Sequence, residues 1–258
     1  MPPYQDAPSN QTWFALAIGN SRWHWAMFVD DGLQETWEES HQDIGGELDL
    51  RVFEKLGDLK PPIWIASVVP EQARLWADYS NARFLSLDDV PLPGLYPTLG
   101  IDRALALWGA IATRGSPALV IDCGTALTFT GANQDQRLVG GAILPGLRLQ
   151  FEALGQKTAL LPTLPLPLSP SSPLPPHWAL NTEDAIASGI LHTVTAGIQS
   201  FVQDWWQQFP ASNVVMTGGD SDRLYQCLQQ QSPTFATPII LDKLLIFKGI
   251  QAIRAISA

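Results

Sequence analysis

From Trp13 to Ile18 the chain is apolar without a break, then bends through Gly19-Asn20-Ser21, and an aromatic, alternating run follows from Arg22 to Val29. That pattern predicts strand, tight turn, strand, with Asp31-Gly32 as a second hairpin turn. PIWIASVV at 62–69 predicts a strand closed by Pro70, and EQARLWADY at 71–79 has helical spacing. IDRALALWGAIATR at 101–114, set between Gly100 and Gly115, predicts a helix. ALVIDCGTALTFTGA at 118–132 repeats strand, turn, strand; LVGGAILPG predicts a strand and turn, and LRLQFEALG a helix. Seven prolines between 162 and 176 exclude helix or central strand there and predict an extended loop or lid. A long helix is expected from Thr182 to Phe209, a strand in NVVMTGGD ending in a Gly-Gly turn, and an amphipathic helix in KLLIFKGIQAIRAI.

LAIGNS at 16–21 and VIDCGTA at 120–126 can be laid together, about a hundred residues apart. Gly19 then falls on Gly124, Asn20 on Thr125, Ser21 on Ala126, and Ala17 on Asp122. The overlay is open to two explanations: chance likeness of short hairpins, or a duplicated α/β unit with a cleft between its halves. Under duplication the expected domains are residues 1–114 and 115–258.

The 258 residues suffice for one large domain or two smaller ones. A net charge of −10 with no Lys/Arg stripe argues against nucleic acid as partner. No run of about 18 uncharged apolar residues predicts a membrane span. The polar start, MPPYQDAPSNQT, lacks a signal pattern, so a cytoplasmic protein is expected. Cys123 and Cys227, far apart, make no disulfide framework or cysteine-type zinc site.

The candidate chemistry sits at the turns. Asp122 ends an apolar strand before Gly124-Thr125, where a buried carboxylate is costly unless paired or bound to a cation; a cation ligand facing a phosphate turn and an Asx-turn capping its own hairpin both account for it. Gly100-Ile101-Asp102-Arg103 opens a helix. Asp102 suits the macrodipole there and Arg103 does not, while the pair could equally accept a hydroxyl proton and bind a carboxylate or phosphate. Asn181-Thr182-Glu183-Asp184 reads as a helix start with Thr182 as N-cap, or as a cap offered to substrate. His24, His177 and His192 have no partners at metal spacing, and Trp205-Trp206 lie on a helix face that could form an interface.

Taken in order, LAIGNSR, LGIDRALALWGA, VIDCGTALT, GGAILPG, NTEDAIASG and TGGD resemble the type III pantothenate kinase family from about residue 14 to 250. The resemblance implies the acetate and sugar kinase, Hsc70 and actin superfamily: two ribonuclease-H-like domains with the active site between them. It implies ATP-dependent phosphorylation of the primary hydroxyl of pantothenate, the first step of coenzyme A synthesis, by a homodimer using Mg²⁺ and a monovalent cation, K⁺ or NH₄⁺. By resemblance Ala17, Ile18, Gly19, Asn20, Ser21, Arg22, Trp23 and His24 form the first ATP phosphate loop, and Thr125 is a further ATP contact. Gly100, Ile101, Asp102 and Arg103 form the pantothenate segment, with Asp102 as proton acceptor. Thr182 and Tyr96 are pantothenate contacts, and Asp122 is the monovalent-cation ligand.

One stretch departs from the family. Where it usually has Asp-x-Gly-Asn-Thr, this chain has Ala17-Ile18-Gly19-Asn20-Ser21. Serine keeps the hydroxyl, but alanine removes the carboxylate associated with Mg²⁺. Either the metal rides on the ATP phosphates, or another acid such as Asp220 replaces it, or catalysis is crippled. The last outcome would leave a non-catalytic pantothenate- or nucleotide-binding regulator. Retention of Asp102, Arg103, Asp122 and Thr182 favours a working kinase.

Overall fold

The structure, a computed structural model, describes residues 11–43, 60–164 and 173–257. Most of the proline-rich run, residues 165–172, lies outside them. The chain divides into two compact units. The first holds the residues up to Val90, Gly100–Asp102 and the end from Ile250; the second holds Pro91–Leu99 and Arg103–Gly249.

In the first unit, β1 (Thr12–Ile18), β2 (Arg22–Val29) and β3 (Gly32–Ser40) form an antiparallel meander. After β4 (Ile63–Ser67) comes the short helix α1 (Pro70–Arg74), then β5 (Ala82–Phe84). The strand order is β3-β2-β1-β4-β5, with β4 parallel to β1. β1 is buried almost throughout, as an unbroken apolar run requires of a central strand. Against it pack Trp23, Trp25 and Trp76, with Trp25 and Trp76 ring centroids 5.4 Å apart. The helix expected over 71–79 stops at Arg74 and gives way to turns. Trp76 and Tyr79, within the stretch of helical spacing, are carried by those turns into the aromatic core.

The second unit repeats the plan. β6 (Ala118–Cys123), β7 (Ala126–Ala132) and β8 (Leu138–Pro145) form a meander, and β9 (Asn213–Thr217) lies parallel to β6. With β10 (Ile240–Leu241) the order is β10-β9-β6-β7-β8. Read from the meander, both sheets run third, second, first, fourth, fifth in chain order. The duplication that the two Gly turns suggested is thus present in the strand order. β8 is an edge strand of alternating burial, with Val139 and Ile143 exposed.

Helices α2 (Ile101–Arg114), α3 (Leu147–Lys157), α4 (Thr182–Gln208), α5 (Ser221–Gln231), α6 (Pro233–Ala236) and α7 (Leu245–Ser257) complete the chain. Both boundaries between the units that lie in helices fall in α2 and α7. On α4, Ile186, Ile190, Val194, Ile198, Val202 and Trp205 form a buried stripe at helical spacing. At about 2 kcal/mol for each buried large side chain, that stripe outweighs any single cap. By length and composition α4 is also apolar enough to cross a membrane, although 44% of its most apolar stretch is buried within the protein. Trp205 and Trp206 both pack on the core of the second unit. Trp205 is buried, and a Cβ on Gly131 would lie 2.6 Å from its ring, while Trp206 packs on the same core.

Candidate active site

The first Gly turn joins β1 to β2. The Gly19 N–H donates to the Arg22 carbonyl at 3.0 Å, and a ring nitrogen of His41 lies 2.8 Å from the Gly19 oxygen. Ala17 is only 3% exposed, and its ladder partners are His24 on β2 and Ala66 on β4. Ile18 and Trp23 are also buried, so only Gly19–Arg22 and His24 of the 17–24 stretch reach solvent. Glu38 binds Arg22 at 3.2 Å and His24 Nδ1 at 3.3 Å.

The second Gly turn has the same frame and different contents. Asp122 stands where Ala17 does, with Thr128 and Thr217 as its ladder partners. Thr128 is buried and its hydroxyl has no hydrogen-bond partner among the described residues. Gly218, at φ +88°, packs so closely that a Cβ there would lie 2.5 Å from Asp122 Oδ1 and 2.6 Å from the Cys123 carbonyl carbon. A Cβ on Gly146 would overlap the Gly124 oxygen and lie 2.6 Å from the Thr125 oxygen. The strand end is therefore closely packed, with the Asp122 carboxylate, the Thr128 and Thr217 side chains and backbone carbonyls gathered around it. Burial pushes the Cys123 thiol well above its usual range, and the carboxylates of Asp122 and Asp220 push it the same way. Burial also raises Asp220, partly opposed by Arg148. Among the described residues no group of three or more His, Cys, Asp or Glu side chains could hold a metal.

The segment before α2 carries the third part. A Cβ on Gly100 would overlap Asp102 Oδ1, so the carboxylate folds back over the glycine's bare Cα. Ile101 is buried. Arg103 is 7% exposed: Nε donates to Thr130 Oγ1 at 3.0 Å, Nη2 to the Phe129 carbonyl at 3.0 Å, and Nη1 to the Tyr96 hydroxyl at 3.2 Å. Tyr96 is 40% exposed, so this buried guanidinium ends at a solvent-facing phenol.

Thr182 is the first residue of α4 rather than its cap. Asn181 is the N-cap and accepts from the Asp184 N–H at 2.9 Å, leaving the Thr182 hydroxyl outside the capping role. Thr182 lines an open groove of about 600 Å³ with Leu154, Leu161, Leu180, Ile186 and Ile190. Tyr96 and Arg103 are not among the groove's residues.

Thr128, Thr130, Gly141 and Gly146 were not singled out by sequence reasoning. The signal was there in the alternation Thr128-Phe129-Thr130: Phe129 joins the core and the two threonines share the opposite face.

Comparison with known proteins adds a family. The profile described as type III pantothenate kinase matches residues 13–204. A type III pantothenate kinase of Nostoc sp. is 47% identical, covering 94% of this chain and 94% of that protein. One from Synechocystis sp. is 44% identical over 96% and 93%, and one from Thermosynechococcus vestitus 42% identical over 96% and 92%. Among solved structures, a conserved Baf family protein from Campylobacter jejuni superposes with a TM-score of 0.62 at 22% identity, covering 95% of this chain and 98% of that one. The ADPNP-bound activator of 2-hydroxyisocaproyl-CoA dehydratase from Clostridium difficile superposes with a TM-score of 0.52 at 13% identity, covering 96% of each. These two likenesses show a shared fold.

Proposed function

This chain belongs to the type III pantothenate kinase family, and from that premise we propose how its residues divide the work. The protein is a kinase that phosphorylates pantothenate with ATP, in coenzyme A biosynthesis. The observation that carries the assignment of roles is the adjacency of Asp102 and the socketed Arg103 at the start of α2.

Asp102 orients the primary hydroxyl of pantothenate and takes its proton as the oxygen attacks the γ-phosphorus and the bond to the ADP oxygen breaks. Phosphoryl transfer needs little covalent help, so positioning and charge neutralisation carry most of the catalysis. Arg103 and Tyr96 hold the pantothenate carboxylate, Gly100 and Ile101 shape that segment, and Thr182 is a further pantothenate contact. Ala17–His24 and Thr125 serve the ATP phosphates through their backbone and polar groups.

Position 17 does not fit a Mg²⁺ ligand, because a buried methyl between Ala66 and His24 offers no oxygen. Mg²⁺ would then be held chiefly by the ATP phosphates. At Asp122 the donor set suits a monovalent cation, K⁺ or NH₄⁺: a carboxylate, with the Thr128 hydroxyl, which has no hydrogen-bond partner among the described residues, on the paired position of β7. When bound, that cation supplies positive charge that offsets phosphate. The enzyme works in the cytoplasm as a homodimer, without nucleic-acid or membrane partners. Trp178 and Leu180, almost fully exposed just before α4, supply apolar area for the dimer contact. Reading the chain as a non-catalytic binder is not favoured, since its relatives at 42–47% identity are kinases.

The test is ADP formation with pantothenate, with and without Mg²⁺ and K⁺. Asp102→Asn is expected to cut turnover by roughly 10²–10⁴-fold with the fold retained by circular dichroism. Turnover near that of the parent would remove Asp102 from proton handling.

A further inference from the structure

The GGAILPG stretch, residues 140–146, begins with two glycines. They lie on β8, where Gly141 pairs with Thr130 of β7. A Cβ on Gly141 would overlap the Phe129 carbonyl oxygen and stand 2.7 Å from Arg103 Nη2. The bare backbone of Gly141 is therefore what lets the guanidinium lie against the β7–β8 ladder. Thr130, 2% exposed, meets the same side chain from β7 through its hydroxyl. The Phe129 carbonyl completes the seat. Together with the Tyr96 phenol, these acceptors fix the plane of the fork.

The position of this seat in the sheet adds a second point. Thr128 and Thr130 are two residues apart on one strand and so share a face, about 7 Å apart along it. Thr128 faces Asp122 across the ladder, and Thr130 holds Arg103. One stretch of β7 thus sets the separation between the cation-ligand residue and the carboxylate clamp.

We propose that Thr130 and Gly141 are positioning residues for pantothenate recognition: they form a rigid seat that aims Arg103, and through it Tyr96, at the substrate carboxylate. This deepens the reading of Arg103 given under Proposed function and rests on it. The seat acts on substrate affinity and leaves the phosphoryl-transfer step to other residues. A guanidinium free to rotate would lose a prearranged contact with substrate, so its loss appears in KM rather than kcat.

The experiment measures kcat, pantothenate KM, ATP KM and melting temperature for the parent, Thr130→Val, Thr130→Ser and Arg103→Lys. Thr130→Val removes the acceptor at nearly constant volume. It is expected to raise pantothenate KM roughly tenfold, the equivalent of one charge-assisted hydrogen bond, with ATP KM and kcat changed less than about twofold. Thr130→Ser is expected to restore pantothenate KM. If Thr130→Val does not fold, Thr130→Ala is measured with the same expectation. A folded Val or Ala variant with unchanged pantothenate KM, beside a raised KM in Arg103→Lys, overturns the seat but leaves the clamp standing. Equal losses in kcat and both KM values, tracking a lower melting temperature, also overturn it, because they mark a structural role alone. An unchanged pantothenate KM in Arg103→Lys overturns the clamp itself and the seat with it.

Discussion

At the end of β1 stand Ala17 and its ladder partners Ala66 and His24; at the same places on β6 stand Asp122, Thr217 and Thr128. The frames around them match. Each strand is central, each is followed by a Gly turn into an antiparallel partner, and each has a parallel neighbour leading into a helix. The N-cap of α1 is Val69 and that of α5 is Asp220. The strand-end carbonyl of Ile18 accepts from the Val68 N–H, while that of Cys123 accepts from the Asp220 N–H, beyond the left-handed Gly218. One frame thus carries two alanines and a histidine in the first unit, and carboxylates against closely packed glycines in the second. The backbone plan is set by hydrophobic burial and ladder pairing, which tolerate either set of residues at a strand end. The chemistry is set by a few side chains that the plan leaves free to vary.

The largest test converts the second turn to the contents of the first. Asp122→Ala is expected to abolish stimulation by K⁺ and to lower turnover about 10²–10³-fold, or roughly 3–4 kcal/mol of transition-state stabilisation. Titrating ADP formation against K⁺ at saturating substrates measures both. Full K⁺ stimulation in the variant would show that the difference between the two strand ends is not about the cation.

Next in size is a pair of glycine substitutions. Gly218→Ala forces a side chain into a left-handed conformation and against the Cys123 backbone at 2.6 Å. The expected cost is about 3 kcal/mol, a melting temperature lower by roughly 6–12 °C. Gly19→Ala meets nothing nearer than the Arg22 oxygen at 3.5 Å, and its cost is expected to stay within about 0.5 kcal/mol. Equal losses in the two variants would mean that the second turn is no tighter than the first.

The third test moves the first turn toward the second. Ala17→Asp places a carboxylate at a position 3% exposed, beside Ala66 and His24. In metal-free buffer it is expected to cost about 2 kcal/mol. If the pocket can still take Mg²⁺, added Mg²⁺ raises the variant's melting temperature by mass action and lowers the Mg²⁺ midpoint for activity. A variant whose stability and activity ignore Mg²⁺ would show that the first turn has lost the shape as well as the acid.

Much of this contrast was legible before any coordinates. The apolar run, the Gly turn and the following alternation placed both hairpins, and the overlay put Ala17 on Asp122, as the strand order and registers now bear out. What could not be read was anything carried by long-range packing. The Arg103 seat joins residues 26 and 27 positions apart, and no local pattern announces that a threonine on β7 meets an arginine on α2. α1 was overestimated because periodicity alone does not reveal that Trp76 and Tyr79 find a better place in an aromatic core. Asn181 displaced Thr182 as cap because both residues can cap a helix and only geometry decides between them.

The smallest test concerns Asp220, whose counterpart in the first unit is Val69. Burial raises the Asp220 carboxyl above its ordinary range, with Arg148 opposing. A raised carboxyl means that the folded chain holds its proton more tightly than the unfolded chain does. Below the unfolded value both states are protonated and the group contributes nothing. As pH rises through the folded value the folded state must ionise a half-buried acid, and stability falls relative to a neutral residue. Asp220→Asn is therefore expected to melt slightly above the parent at pH 7, and the gap should close as pH falls toward 4. Thermal melts across that range measure it. Asp89 supplies the opposite sign in the same scan. Its burial would raise it, but hydrogen bonds from the Ser86 N–H and hydroxyl and the nearby Arg83 bring it below its ordinary range. Its stabilisation is present above the unfolded value and is lost as pH falls through the folded one, so the gap between parent and Asp89→Asn should shrink in acid with the parent the more stable. If Asp220→Asn instead follows the Asp89 pattern, the acid is held by a cation or donor rather than merely buried, and the second strand end is better satisfied than its burial implies.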